Sequence, residues 1–435
     1  MRYFYFYALL FILVSGCKKD INETASPSTP SKMNEEVARM ETTHQSVTKI
    51  DGTVTENVNL ILTLKSGEII QISKPANWNG DLILYAHGYV SAFLPLALPT
   101  EAASYVPIFT SLGYAFATTS YSENGLAIQS GIQNIVALRK RFVDMFGQPN
   151  HTFMTGGSEG GLVTALAIER YPSLFSGGLP LCGPCGDFQK QINYYGDFRV
   201  LFDYFFPGIL PGNVINIPDE LIAGWQSIYI PKVTQAIFAN PAQTIKLLNT
   251  AHAAYVQGDN NSISNTVLGL LFYSVFATRD AVAKLNGQPY ENITKIYFGT
   301  GSLLEDLQLN KRIPRYSADR RALATIQKDY ETSGRISLPV VQGHTTLDPI
   351  IPFWQMTFYG AKVLFQGRIG FYTAIPVDRY GHCTFTEAEI AGGFALLASK
   401  VSGQALPAVQ QLVDASRNTN GKIVKSVRIT QGEHQ

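Results

Sequence analysis

Charge is scarce in this chain. Lys, Arg, Asp and Glu make up 15% of its 435 residues, and the net charge is +1. So small and balanced a charge gives no field to steer nucleic acid or an acidic partner. No arginine-rich run and no basic stretch interleaved with aromatics occurs, so no nucleic-acid partner is expected. Cysteine is scarce as well, at four. With Cys17 counted in the leading segment, Cys182, Cys185 and Cys383 remain. Outside the cytosol an odd number leaves one thiol unpaired. Internal repeats are absent, and beyond the first residues no stretch reads as a membrane span. Apolar residues, in contrast, are plentiful at 46%. That is enough for a large core and more than one lobe.

The first residues read as an address, not as fold. Arg2 precedes an apolar run from Tyr3 to Val14, and Ser15-Gly16-Cys17 follows. A basic start, a short apolar stretch and small residues make an export signal, too short to span a bilayer well. Val14-Ser15-Gly16-Cys17 also resembles a bacterial lipobox. The resemblance implies cleavage before Cys17 and lipidation of its thiol, hence a membrane-anchored lipoprotein of the cell envelope. Residues 18–50 are rich in Ser, Thr, Asn, Glu and Lys, with Pro27 and Pro30. They read as a flexible tether.

The rest is organised around Thr152-Phe153-Met154-Thr155-Gly156-Gly157-Ser158-Glu159-Gly160-Gly161. It begins as a strand, meets glycines on both sides of one serine, and continues as an apolar helix to Arg170. Strand, Gly-x-Ser-x-Gly and helix form the nucleophile-elbow pattern. A turn this sharp strains Ser158 and requires neighbours without side chains. The Glu159 amide then lies at a helix start, where a free N–H can meet an oxyanion.

Around this stretch strands and helices alternate. A hairpin is expected over Val58–Leu64 and Glu68–Ser73, with strands at Asp81–Ala86, Gly113–Thr119 and Ser176–Leu181. Helices are expected at Tyr105–Leu112 and Ile128–Phe146, the latter stopped by Gly147 and Pro149. Such alternation predicts a parallel sheet with helices on both faces. It stops after residue 186. Residues 187–335 open with an aromatic crowd, Tyr194 to Phe206, and continue in helical patterns at Pro241–Val256 and Thr266–Leu285. They read as a mainly helical cap over the sheet. Alternation resumes with a strand at Leu338–Gly343 and the loop His344 to Pro349. A helix from about Pro352, a last strand at Gly370–Ile375, the loop Asp378 to Cys383 and a helix at Thr386–Val401 complete the pattern. The core is therefore 51–186 with 336–435.

Serine needs a base, and the base needs an orienting carboxylate. In elbow enzymes the order is serine, acid, histidine. Of the seven histidines, His44, His87 and His151 precede the serine, His252 lies in the cap, and His434 is in the polar tail. His382, in a glycine-flanked loop after the last strand, is the candidate base. Asp348 follows the preceding strand and is the candidate acid. Asp378, four residues before His382, competes and reads better as a loop former. The second oxyanion amide is expected from Tyr89, after the strand that ends in His87-Gly88, with His87 only holding that loop. Cys182-Gly183-Pro184-Cys185 follows a strand instead of opening a helix near a domain's start. It therefore reads as a structural disulfide or as plain thiols, not as a redox pair.

On His87-Gly88, Gly156 to Gly161, Asp348 and Gly381-His382 the chain resembles the α/β-hydrolase superfamily. That resemblance implies a mostly parallel eight-stranded sheet, a Ser158/Asp348/His382 triad, no metal and no organic cofactor. His382-Cys383 is also similar to tannases and feruloyl esterases, where cysteines beside the serine and the histidine are bridged. Gly157 stands before Ser158 here, so that bridge lacks its first member, and Cys383 has Cys182 or Cys185 left to reach. The expected activity is carboxylic-ester hydrolysis through an acyl-enzyme. The alternatives are a serine peptidase or aminopeptidase, with Asp197, Asp203, Glu305 and Asp306 available for a substrate amine, and a non-catalytic surface binding lipoprotein. The expected partners are a small ester or peptide substrate and, through the lipid, a membrane.

Overall fold

A short hairpin opens the sheet at one edge, because Lys65-Ser66-Gly67 turns the chain back on itself. The computed structural model describes residues 57–403. The export signal, Cys17 and the tether lie outside the described residues. β1 (Val58–Thr63) pairs antiparallel with β2 (Ile69–Lys74), and β2 pairs antiparallel with β4 (Ala115–Thr119). From there the sheet is parallel, through β3 (Leu82–Ala86), β5 (Thr152–Gly157), β6 (Gly177–Leu181), β7 (Val340–Leu347) and β8 (Tyr372–Tyr380). The order across the eight strands is β1-β2-β4-β3-β5-β6-β7-β8. This is the α/β-hydrolase fold.

All five residues of β3 are buried, as a strand covered on both faces requires. On one face Ile83, Tyr85, Phe116, Phe153, Leu179 and Val341 pack with residues of α1 (Ala102–Ser111) and of the last described helix, Glu387–Ser402. On the other, α2 (Ile128–Phe146) and α3 (Glu159–Arg170) lie side by side. Adjacent β6 residues show the split. A Cβ on Gly178 would touch Ile168 of α3, whereas Leu179 lies against Gly393 of the last helix.

β7 and β8 are longer than the sequence pattern predicts. His344 to Leu347 and Asp378 to Tyr380 are strand, not loop. His344 pairs with Pro376, Thr345 with Val377, and Leu347 with Tyr380 across a bulge. The β-branched residues suit the pleat, so both strands carry their candidate site residues outward on rigid backbone.

Between β6 and β7 the described residues form no strand. The chain runs through α4 (Phe188–Phe205), α5 (Asp219–Ala223), α6 (Ile230–Ala239), α7 (Pro241–Thr250), α8 (Asn260–Phe272) and α9 (Thr278–Lys284). It continues through α10 (Leu303–Arg312) and α11 (Arg320–Thr325). The aromatic crowd lies on α4, where Phe198 and Phe202 are fully buried. α8 and α9 are joined through a π-helical turn, Tyr273–Ala277. The joined run, Asn260–Lys284, has 25 residues, and an 18-residue window within it has a mean hydropathy of 1.3. By length and composition it is long and apolar enough to cross a membrane, contrary to the expectation from sequence. In this fold it packs against α4, and half of that window is buried.

Candidate active site

Ser158 stands where β5 turns into α3. Its φ of 58° and ψ of −125° are backbone that few side chains accept, and such strain gathers at functional turns. The turn is tight because α3 starts against the β3 backbone. A Cβ on Gly160 would lie 2.0 Å from the Ala86 carbonyl oxygen. The Ser158 N–H donates to the Leu181 carbonyl at 2.9 Å, tying the turn to β6. The hydroxyl is thereby held at the carboxyl end of the sheet.

The structure brings Ser158, His382 and Asp348 into one hydrogen-bonded line. Ser158 Oγ lies 2.8 Å from His382 Nε2, and His382 Nδ1 lies 2.7 Å from Asp348 Oδ2. A carboxylate only accepts, so Nδ1 carries the hydrogen and Nε2 is free to accept the serine proton. Asp348 is 2% exposed, and its other oxygen accepts the Ile350 and Ile351 amides at 2.9 and 3.0 Å. These two donors fix the carboxylate before the histidine reaches it. Asp378 lies elsewhere, accepting from Thr346 Oγ1 at 3.0 Å.

The His87–Gly88–Tyr89 loop reaches the same spot. A Cβ on Gly88 would sit 3.2 Å from Ser158 Cβ and 3.8 Å from its Oγ, so the loop passes close beside the serine and a side chain there would be tight. His87 stacks on Tyr121 at 3.9 Å, and its Nδ1 donates to the Gly88 carbonyl at 2.7 Å. Its place is structural. Tyr89 is the next residue. Glu159, the other residue expected to offer an amide, is the first of α3, and an N–H there has no partner within its own helix. Its side chain points into the protein, accepting the Ala127 amide at 2.9 Å. Burial pushes its carboxyl up to about 8.

Three residues of the site escape a reading by motif. His344 is fully buried behind the acid, with Nε2 donating to the Ile351 carbonyl at 2.8 Å and lying 3.7 Å from Asp348 Oδ2. Burial lowers its pKa, so it is neutral there. Tyr194, on α4, donates to the Pro349 carbonyl at 2.8 Å and pins the acid's loop to the cap. Tyr273, at the π-helical turn, stacks its ring on Tyr195 at 5.1 Å and lies 5.6 Å from the ring of Tyr89. Their sequence neighbourhoods carry no motif. Only the aromatic density around Tyr194 gives a signal.

Cys383, beside the histidine, is bonded to Cys182 at the end of β6, with Cα atoms 5.5 Å apart. Cys185 is the buried free thiol, pushed up by burial into an unreactive state. A Cβ on Gly157 would come 3.6 Å from Cys383 Sγ. The bond from Cys182 therefore reaches the same place beside the nucleophile from the neighbouring strand. Cys182, His382 and Cys383 have ligand atoms within 4.8 Å of one another, but bonded sulfurs offer a metal no thiolate.

Fold and geometry together make this an α/β-hydrolase-fold protein with a serine, an aspartate and a histidine just past the carboxyl ends of β5, β7 and β8. The Tannase-like family of unknown function (DUF6351) matches residues 2–267, and the chain belongs to that family. The family is tannase-like by its description; the match ends before His382-Cys383, and Gly157 stands before the serine. Feruloyl esterase B from Aspergillus oryzae is a similar solved structure, at 15% identity and a TM-score of 0.44. The match covers 75% of this chain and 73% of that one. An esterase from Aspergillus oryzae matches at 13% identity and a TM-score of 0.43, over 80% of each chain. The Pyrococcus horikoshii acylaminoacyl peptidase matches at 11% identity and a TM-score of 0.42. There 82% of this chain spans 44% of the peptidase. A comparison with curated proteins gives no match.

Proposed function

We propose that this protein is a serine hydrolase that cleaves carboxylic esters through an acyl-enzyme on Ser158. The observation that carries it is the unbroken line from Ser158 through His382 to Asp348. His382 Nε2 takes the hydroxyl proton as Oγ attacks the ester carbonyl carbon, and Asp348 steadies the imidazolium. The Tyr89 and Glu159 amides receive the charge on the carbonyl oxygen. His382 then returns its proton to the leaving alcohol, and water releases the acyl group by the same route. Family membership and the strained turn support this reading.

A peptidase that holds a free amine needs a nearby carboxylate. The acids available for that task are engaged inside the cap. Asp197 accepts from Tyr290 and Tyr297, and Asp203 pairs with Arg199. Glu305 pairs with Lys246, and Asp306 accepts the Gly299 and Thr300 amides. Glu159, beside the nucleophile, is pushed up to about 8 and offers an amine no full charge at neutral pH. These observations favour the ester.

Ser158→Ala should abolish hydrolysis of p-nitrophenyl esters while the protein stays folded, and a fluorophosphonate should label wild type at this residue alone. Labelling that survives in the mutant would count against the assignment. The proposal extends to export and a lipid on Cys17, supported by the run Arg2 to Cys17 and by a disulfide that persists in an oxidising compartment. Cys17→Ser should appear in the soluble fraction, still active, and take up no alkyne fatty acid. Retention of the mutant in membranes would overturn the anchor.

A further inference from the structure

The two amides that hold the acid belong to two successive peptide units, and the cap grips the other end of each. The Ile350 and Ile351 N–H groups donate to Asp348 Oδ1 at 2.9 and 3.0 Å. A trans peptide is planar, and its C=O and N–H point in opposite directions. The unit that carries the Ile350 N–H also carries the Pro349 carbonyl, which accepts from the Tyr194 hydroxyl at 2.8 Å. The unit that carries the Ile351 N–H also carries the Ile350 carbonyl, which accepts from Gln191 Nε2 at 2.9 Å. Gln191 and Tyr194 stand three residues apart on α4, so they share a face of that helix. The next unit has no N–H to offer, because residue 352 is proline. Its Ile351 carbonyl accepts from His344.

The direction of the Gln191 amide is fixed by its neighbours. Gln355, on the helix Trp354–Phe365, turns Oε1 to the Gly186 and Asp187 amides at 2.6 and 2.8 Å. Its Nε2 therefore donates, to the Asp187 carbonyl at 2.9 Å and to Gln191 Oε1 at 3.1 Å. That leaves Gln191 Nε2 facing Ile350. Both glutamines are buried. An unpaired amide would be costly there, and hydrogen bonds in a chain polarise one another.

From this geometry we infer that Gln191 and Tyr194 are positioning residues for the reaction, acting on Asp348 through the two peptide units. The inference rests on the serine-hydrolase reading. Each donor draws its carbonyl toward the cap and aims the N–H on the opposite side at Oδ1. With Oδ1 fixed, Oδ2 is left toward His382 Nδ1, 2.7 Å away. The imidazole is thereby set for Ser158. The cap is then part of the frame that holds the triad, beyond its place as a cover.

Tyr194→Phe keeps the ring and removes the donor, and Gln191→Met keeps the length and removes the amide. On p-nitrophenyl acetate kcat should fall about 10-fold in each, with KM nearly unchanged, because a small misplacement of catalytic groups is felt in the transition state. Rates are counted per Ser158 titrated to completion with fluorophosphonate, so an unfolded fraction drops out. The low-field proton resonance of His382 Nδ1–H, read by NMR with the imidazole protonated, should move upfield in step with kcat. A role confined to packing the cap would leave that resonance in place. An unchanged kcat, an unmoved resonance, or a rise in KM alone would overturn the inference. A wild-type protein inert to both fluorophosphonate and ester would overturn the underlying hydrolase reading and this inference with it.

Discussion

Glu159 places an ionisable group one residue from Ser158 and then buries it. Its carboxyl is pushed from the ordinary 4.5 up to about 8, chiefly by desolvation. Between those values the folded protein binds a proton that the unfolded chain has released, so this group's contribution to stability falls as pH rises. It is intact below about pH 4.5 and lost above about pH 8. Glu159→Gln keeps an acceptor for the Ala127 amide and removes the titration. Urea midpoints measured from pH 5 to 9 should therefore decline less in the mutant than in wild type. Parallel curves would mean that Glu159 ionises freely in the folded protein. Nothing in the sequence announces this burial. Ser158, Asp348 and His382 are legible because a nucleophile elbow is a local pattern and the chain order of its partners is fixed by topology. His344 and Tyr273 are not, because what defines them is a contact with a distant part of the chain. His344 even sits in a segment that reads as loop, yet it is a strand residue backing the acid.

At the level of elements, the junction of β5 and α3 depends on backbones that touch. Gly160→Ala places a methyl 2.0 Å from the Ala86 oxygen and 2.7 Å from the His87 oxygen. Backbone cannot yield as a flexible side chain does. The substitution should cost at least about 2 kcal/mol in a denaturant titration. A loss under about 0.5 kcal/mol would mean that the helix can withdraw from the strand. Core elements are legible to within a few residues, and α2 has the bounds its pattern predicts, Ile128–Phe146. Their apolar faces look inward, so periodicity reports them. Cap elements obey this less well. α10 exposes Leu303, Leu304 and Leu307 and buries Leu309, which inverts the usual pattern. The π turn leaves no trace in composition, because one added residue only shifts a helical phase.

Across the whole molecule, the order of the sheet follows from strand–helix alternation and the handedness of parallel crossovers, whereas the closure of the cysteines does not. Three remaining cysteines allow several pairings, and only the fold brings the end of β6 against the histidine loop. The bond between Cys182 and Cys383 spans 201 residues. In the chain-entropy account, closing a loop of that length is worth about 5 kcal/mol against the unfolded state. It also gives the molecule a covalent ring. The whole cap lies inside that ring, and the triad serine and the last helix hang from it on separate arms. A protease that nicks the cap once therefore opens the ring without dividing the protein. On a denaturing gel without reductant the nicked chain should run as a single species, and thiol should split it into two. Fragments that part without thiol would show the bond to be absent. Two chains joined in this way, one carrying Ser158 and the other Asp348 and His382, would form a two-chain enzyme from a single gene product.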